Sequence, residues 1–164
     1  MNLYGWVVLG HVLAVILALA AHGVSAFAMF RIRREHERAR LAAILDLSSS
    51  AVTVAGIAFL VAIVLGVAGA LIDGQFSKLW PWASIVVLVV VIGAMTPLAA
   101  IPMNRVRRVL AVAVPGDRTG HTVGEAGTDD ELAAALAAIR PEIPTAIGVA
   151  GVAILAWLMR AKPF

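Results

Sequence analysis

The chain has no cysteine among its 164 residues. Disulfides, thiolate metal ligands and cysteine nucleophiles are thereby excluded together, and thiol usage says nothing of the redox compartment. Charge is scarce as well. Asp, Glu, Lys and Arg make up 14% of the chain, and its long apolar runs carry no Asp or Glu in their middles. Cation-coupled transport and acid/base catalysis at an intramembrane carboxylate thus lack the residues that would carry them. The start Met1-Asn2-Leu3-Tyr4 has no basic stretch, and the apolar run behind it is about twice a signal-peptide core, so it reads as a membrane helix rather than a cleaved leader. A phosphate-binding loop is also missing, because the segment from Gly120 to Gly127 has neither a preceding strand nor the required lysine.

What remains is oil. The hydrophobic share is 62% and mean hydropathy is +0.96, far above a soluble globular domain. Four runs are long enough to cross ~30 Å of hydrocarbon: residues 3–30, 49–72, 80–102 and 144–159. The expected fold is all-α, a four-helix transmembrane bundle forming a single membrane domain, with connections over 31–48 and 103–143. The last run is the shortest, so its helix is expected to recruit flanking residues such as Ile143 and Arg160.

Orientation follows from two separate signals. Arg31, Arg33, Arg34, Arg38 and Arg40 lie between the first two runs, and Arg105, Arg107, Arg108, Arg118 and Arg140 between the last two; only Lys78, Arg160 and Lys162 remain for the opposite side. The positive-inside bias then places both connections in the cytoplasm and both termini outside, in a bacterial cytoplasmic membrane. Tyr4, Trp6, Trp80, Trp82 and Trp157 gather at the other, external ends as an aromatic belt. The pI near 10.2 is accordingly read as topology and contact with anionic headgroups, with no nucleic-acid partner.

Local signals add detail. Residues 31–45 keep helical propensity with mixed charge and are expected to continue helix 1, while Asp46 and Ser48 to Ser50 supply cap chemistry for helix 2. Ala58, Ala62, Gly66 and Ala70 form a small-residue ladder for close approach of helix 3, helix 4 or a second copy of the chain. Thr96-Pro97 and Ile101-Pro102 should break or kink helix 3. Residues 114–127 read as a loop, and Thr128 to Glu131 as a capping box for a short helix over 132–139 that lies on the inner membrane face.

Two titratable groups stand inside the apolar runs, His11 and His22. At ~100° per residue they project from nearly the same face of helix 1, ~16 Å apart along its axis, in a stripe with Val15, Ala18, Ser25 and Met29. Such a stripe suits axial ligation of b-type haem, binding of copper or zinc, or a proton relay; it equally suits neutral imidazoles bonded to neighbouring helices. His36 and His121 lie outside the spans, so a second haem ligand would be Met or a His of another copy; Met95 falls at about the depth of His22. Ser25, Thr53, Ser84 and Thr96 read as interhelical hydrogen-bond groups rather than nucleophiles.

The stretch running from Gly10-His11 through Ala21-His22-Gly23-Val24-Ser25-Ala26-Phe27-Ala28-Met29-Phe30-Arg31 resembles the first span of small membrane proteins similar to the copper-resistance protein CopD and the HemJ-type protoporphyrinogen oxidases. The resemblance covers ~30 residues. It implies a four-helix bundle with a haem- or metal-binding His11. It does not extend to the intramembrane lysine of the HemJ-type enzymes, since Lys78 and Lys162 both lie outside the spans. The expectation is a redox or electron-transfer protein that uses His11 and His22. The alternatives are a non-catalytic accessory subunit of a larger membrane complex, or a small transporter.

Overall fold

In the computed structural model, which describes residues 2–114 and 125–163, the chain is all helical. Its order is α1 (Leu3–Ile32), α2 (Arg38–Ile72), a 3-10 turn (Gln75–Ser77), α3 (Trp80–Val109), α4 (Asp129–Ala137) and α5 (Glu142–Ala161). Four segments are long and apolar enough to cross a membrane: α1, α2, α3 and Asp129–Ala161. The membrane-length part of the last is α5, whose 20 residues reach ~30 Å because Ile143 and Arg160 are indeed recruited.

The connection between α1 and α2 differs from expectation. Helix 1 ends at Ile32 instead of continuing to residue 45, and α2 starts at Arg38 instead of Ser49. The cause is local. Arg34 N–H and Glu35 N–H turn back to the Arg31 and Ile32 carbonyls at 3.1 Å each. The Glu35 carboxylate then accepts from the N–H of His36 at 3.0 Å and of Glu37 at 3.3 Å, satisfying donors that open the next helix. Asp46 and Ser48 to Ser50 lie inside α2 and do not cap it. Ser49 donates to the Leu45 carbonyl at 2.9 Å, and Ser48 pairs with Ser25 of α1 at 2.9 Å, so both hydroxyls are satisfied without ending the helix. Nor do the prolines end α3, which continues to Val109 with Pro97 and Pro102 inside it. Each proline only deletes one rung of the hydrogen-bond ladder.

The helices associate as two hairpins, α1 with α2 and α3 with α5. Along the first seam small residues face each other: Ala14, Ala18 and Ala28 of α1, and Ala51, Ala55, Ala58, Ala62 and Gly69 of α2, are buried. Within the chain the small-residue ladder on α2 therefore meets α1 rather than helix 3 or 4. In the second seam Gly151 lets α5 approach Val91, whose Cγ2 lies 2.5 Å from where a Cβ on Gly151 would stand.

The hairpins meet at the arginine-rich end. Met29, Ile32, Leu41, Leu45, Met103 and Val106 form one core there with Leu132, Ala135, Leu136 and Ile139. The capping box at Thr128 and Glu131 is present. The apolar side of α4, however, is buried against the bundle and does not lie on the membrane face. Three arginines cross between elements at this end. Arg33 reaches Glu142 at 2.7 Å, Arg38 holds Asp129 and the Gly127 carbonyl at 2.7 and 2.8 Å, and Arg107 reaches α2. The opposite end carries the tryptophans: Trp82 packs edge-on against Phe76, and Lys162 Nζ stands 5.4 Å above the Trp80 ring.

Two expectations follow. Gly151→Leu should push α3 from α5 and destabilise the fold by about 1–3 kcal/mol, read as a lowered unfolding midpoint in detergent. The backbone N–H groups of His36 and Glu37, with smaller help from Arg40 and Arg31, hold the Glu35 carboxyl below its ordinary range. A lowered folded-state pKa means that this stabilisation is full above the ordinary carboxylate range and is lost as pH falls through the folded value. Between about pH 6 and pH 3 the unfolding midpoint of Glu35→Gln should depend less on pH than that of the parent chain.

Candidate functional site

His11 is the polar group built most firmly into the apolar part of the fold. Its Nδ1 lies 2.8 Å from the backbone carbonyl of Ala62 on α2. A carbonyl can only accept, so Nδ1 carries the proton, and in the neutral ring Nε2 carries the lone pair. Gly66, one turn further along α2, makes room for the ring, since a Cβ there would stand 3.1 Å from both Cε1 and Nδ1 of His11. The sequence marked Gly66 as a packing residue; its function in the fold is to admit this imidazole. An interhelical bond of this kind inside a membrane is worth about 0.6 kcal/mol, with a ceiling near ~1.7. Its larger effect is to fix which nitrogen is free.

The register shows where that nitrogen lies. Gly10 stands against Leu65 on one flank of the α1–α2 hairpin. His11, His22 and Met29 fall within ~20° of one another around α1, on the opposite flank. Met29 belongs to the core shared with Leu45, Met103 and Val106, so at the arginine-rich end this face is covered. Towards the tryptophan end the same flank is no longer covered. On α3, Ile85, Val89 and Ile92 lie within ~40° of the Met103 direction and are 39, 64 and 42% exposed. The two imidazoles thus share one face of α1, which at the arginine-rich end carries Met29 into the common core.

His22 is half-buried, and neither of its nitrogens has a hydrogen-bond partner among the described residues. The same holds for Nε2 of His11. No side-chain nitrogen or oxygen among the described residues is both sealed from the surface and unpartnered, so these nitrogens open onto the hairpin surface. Met95 is directed elsewhere. Its Cε and Sδ lie 2.9 and 3.2 Å from where a Cβ on Gly148 of α5 would be, which puts the thioether in the α3–α5 seam. Its agreement in depth with His22 is not matched by a shared face. Each histidine is thus positioned to give one nitrogen, and no group of three or more His, Asp or Glu side chains that could hold a metal occurs among the described residues.

The hydroxyls are structural. Ser25 bonds across to Ser48 as expected, whereas Thr53, Ser84 and Thr96 donate within their own helices to the carbonyls of Ser49, Trp80 and Ile92 at 3.0, 2.9 and 2.7 Å. The stretch from Gly120 to Gly127 falls mostly outside the described residues, as does His121. Sequence reasoning missed Arg107, counted only as a topology charge. It is 5% exposed and donates to the Leu45 carbonyl at 2.9 Å, Ser49 Oγ at 2.7 Å and Asn104 Oδ1 at 3.3 Å.

Because the partner of Gly66 is a ring of the same chain, Gly66→Leu should displace His11 and destabilise the isolated protein by about 1–3 kcal/mol. Its mass in detergent, measured by light scattering, should stay unchanged. Comparison with known protein families, with curated proteins and with solved structures finds no match to this chain.

Proposed function

We propose that the chain is a multi-pass protein of the bacterial cytoplasmic membrane, with both termini outside, that holds a b-type haem or a transition-metal ion through His11 and serves electron transfer. The observation that carries this reading is the Nδ1–H bond from His11 to the Ala62 carbonyl. A ligating histidine characteristically donates its other ring N–H to such an acceptor, which fixes the tautomer, orients the ring and makes the ligating nitrogen more basic. Here that arrangement leaves Nε2 without a hydrogen-bond partner among the described residues, on an apolar helix whose surroundings suit a macrocycle. The resemblance of the first span to CopD- and HemJ-type proteins bears on the same residue.

His22 supplies a second ligand position on the same stripe, ~16 Å from the first along the helix, nearer the inner leaflet. Two such positions would place one redox group towards each side of the membrane. A bound haem or copper supplies the one-electron exchange, and the chain's own part is to hold the imidazoles and exclude water. Met95, engaged with Gly148, is left out of this ligand set; a second ligand would have to come from another copy of the chain or from outside it. The arginines beside the spans and the tryptophans at the other ends support the orientation.

The test is absorption spectroscopy with metal analysis on protein expressed with ample haem and copper. The expected result is a Soret band or stoichiometric metal that is lost in His11→Ala, reduced in His22→Ala and unaffected in Met95→Leu. A colourless, metal-free protein, or a signal indifferent to His11, would rule the reading out in favour of an accessory subunit.

A further inference from the structure

A second polar feature lies apart from the histidines, where α3 leaves the apolar zone. Arg107 of α3 is 5% exposed, and its described hydrogen bonds go to uncharged acceptors: the Leu45 carbonyl, Ser49 Oγ and Asn104 Oδ1. No Asp or Glu lies within ion-pair distance of it among the described residues, although Arg31, Arg33, Arg38 and Arg40 all have such partners. A buried cation without a counter-charge is costly. Its Nε donates to none of the described residues, and no side-chain nitrogen among them is both sealed and unpartnered, so this N–H opens outward. Arg107 also lines a cavity of about 380 Å³, with Ala42, Ala43, Asp46, Ser49 and Ala113 among its walls.

We propose that this cavity is a site for a phosphate-class anion, filled in the membrane by the phosphodiester of an anionic phospholipid. The guanidinium is held by three neutral acceptors, and a phosphate oxygen supplies the charge that no described residue does. The Ser49 hydroxyl stands beside it. Ala42, Ala43 and Ala113 leave the space that larger side chains would fill, and the depth is right for a headgroup, because Arg107 follows the apolar run of α3 by about one turn. Arg105 and Arg108, on the same turn, draw anions towards that end. Asp46 at the cavity wall opposes an anion, and it tunes affinity downward.

The site is independent of His11. It is tested with the full chain in zwitterionic detergent by thermal unfolding and native mass spectrometry, adding phosphatidylglycerol, phosphatidylcholine or inorganic phosphate. Phosphatidylglycerol should bind and raise the midpoint where phosphatidylcholine does not. Arg107→Gln should weaken that binding about tenfold or more, whereas Arg108→Gln, with the same loss of net charge but no place in the cavity wall, should weaken it far less. Asp46→Asn should tighten it. Should Arg107→Gln unfold, Ala42→Leu fills the cavity without touching the arginine's bonds and should abolish the lipid effect in a folded protein. Equal response to both lipids, equal loss in Arg107→Gln and Arg108→Gln, or retention in Ala42→Leu overturns the site. Stabilisation by inorganic phosphate alone overturns its assignment to lipid.

Discussion

The rest of the structure depends on how closely α1 and α2 approach. Alanine and glycine line both sides of their seam, so the backbones come near enough for an imidazole on one helix to reach a carbonyl on the other. Inside a membrane, apolar side chains gain little from meeting each other, because lipid is as apolar as they are. Close van der Waals contact and a few interhelical hydrogen bonds must then hold the pair, and both are spent here on one seam: His11 with Ala62 near one end and Ser25 with Ser48 near the other. The second hairpin uses close contact without polar bonds, Met95 and Val91 seating against Gly148 and Gly151.

The two hairpins are joined by different physics. Water is within reach at the arginine-rich end, so apolar burial regains its force, and α4 is the piece that exploits it. Its capping box starts a helix of nine residues whose Leu132, Ala135 and Leu136 close over the ends of α1, α2 and α3. Ion pairs of Arg33 with Glu142 and Arg38 with Asp129 span the same region. Each has a largely exposed partner and is worth little. Farther into the apolar zone no comparable ion pair or buried cluster joins the hairpins among the described residues.

Much of this was legible in the residues. Apolar runs locate four spans because hydrocarbon thickness imposes a length that needs no partner to be read, and the capping box is equally local. What escaped depended on choices the spacing leaves open. Arg33 to Glu37 are ordinary helix formers, and only the capture of two N–H groups by Glu35 makes them a turn. Serines at 48 to 50 have the chemistry of a cap but also of bonding back to a carbonyl one turn earlier or across to a neighbouring helix, and the buried setting selects the latter. The ladder from Ala58 to Ala70 identifies a face, not what meets it. Both histidines stood out by their rarity, whereas the pairing of His11 with Ala62 and the isolation of Arg107 are properties of the assembled helices.

His11 and Arg107 show one device with opposite chemistry. Each is a polar side chain held at part of its hydrogen-bonding capacity by backbone or neutral groups, with one nitrogen left over: a lone pair on Nε2 in the first, an N–H on Nε in the second. A purely structural histidine in lipid would gain by satisfying both nitrogens, and a purely structural arginine would gain by pairing with a carboxylate. Asp46 stands at the wall of the Arg107 cavity without making that pair. In surroundings where unmet polar groups are expensive, the leftover nitrogens are what the two proposals rest on: an electron-pair acceptor at His11 and an anion at Arg107.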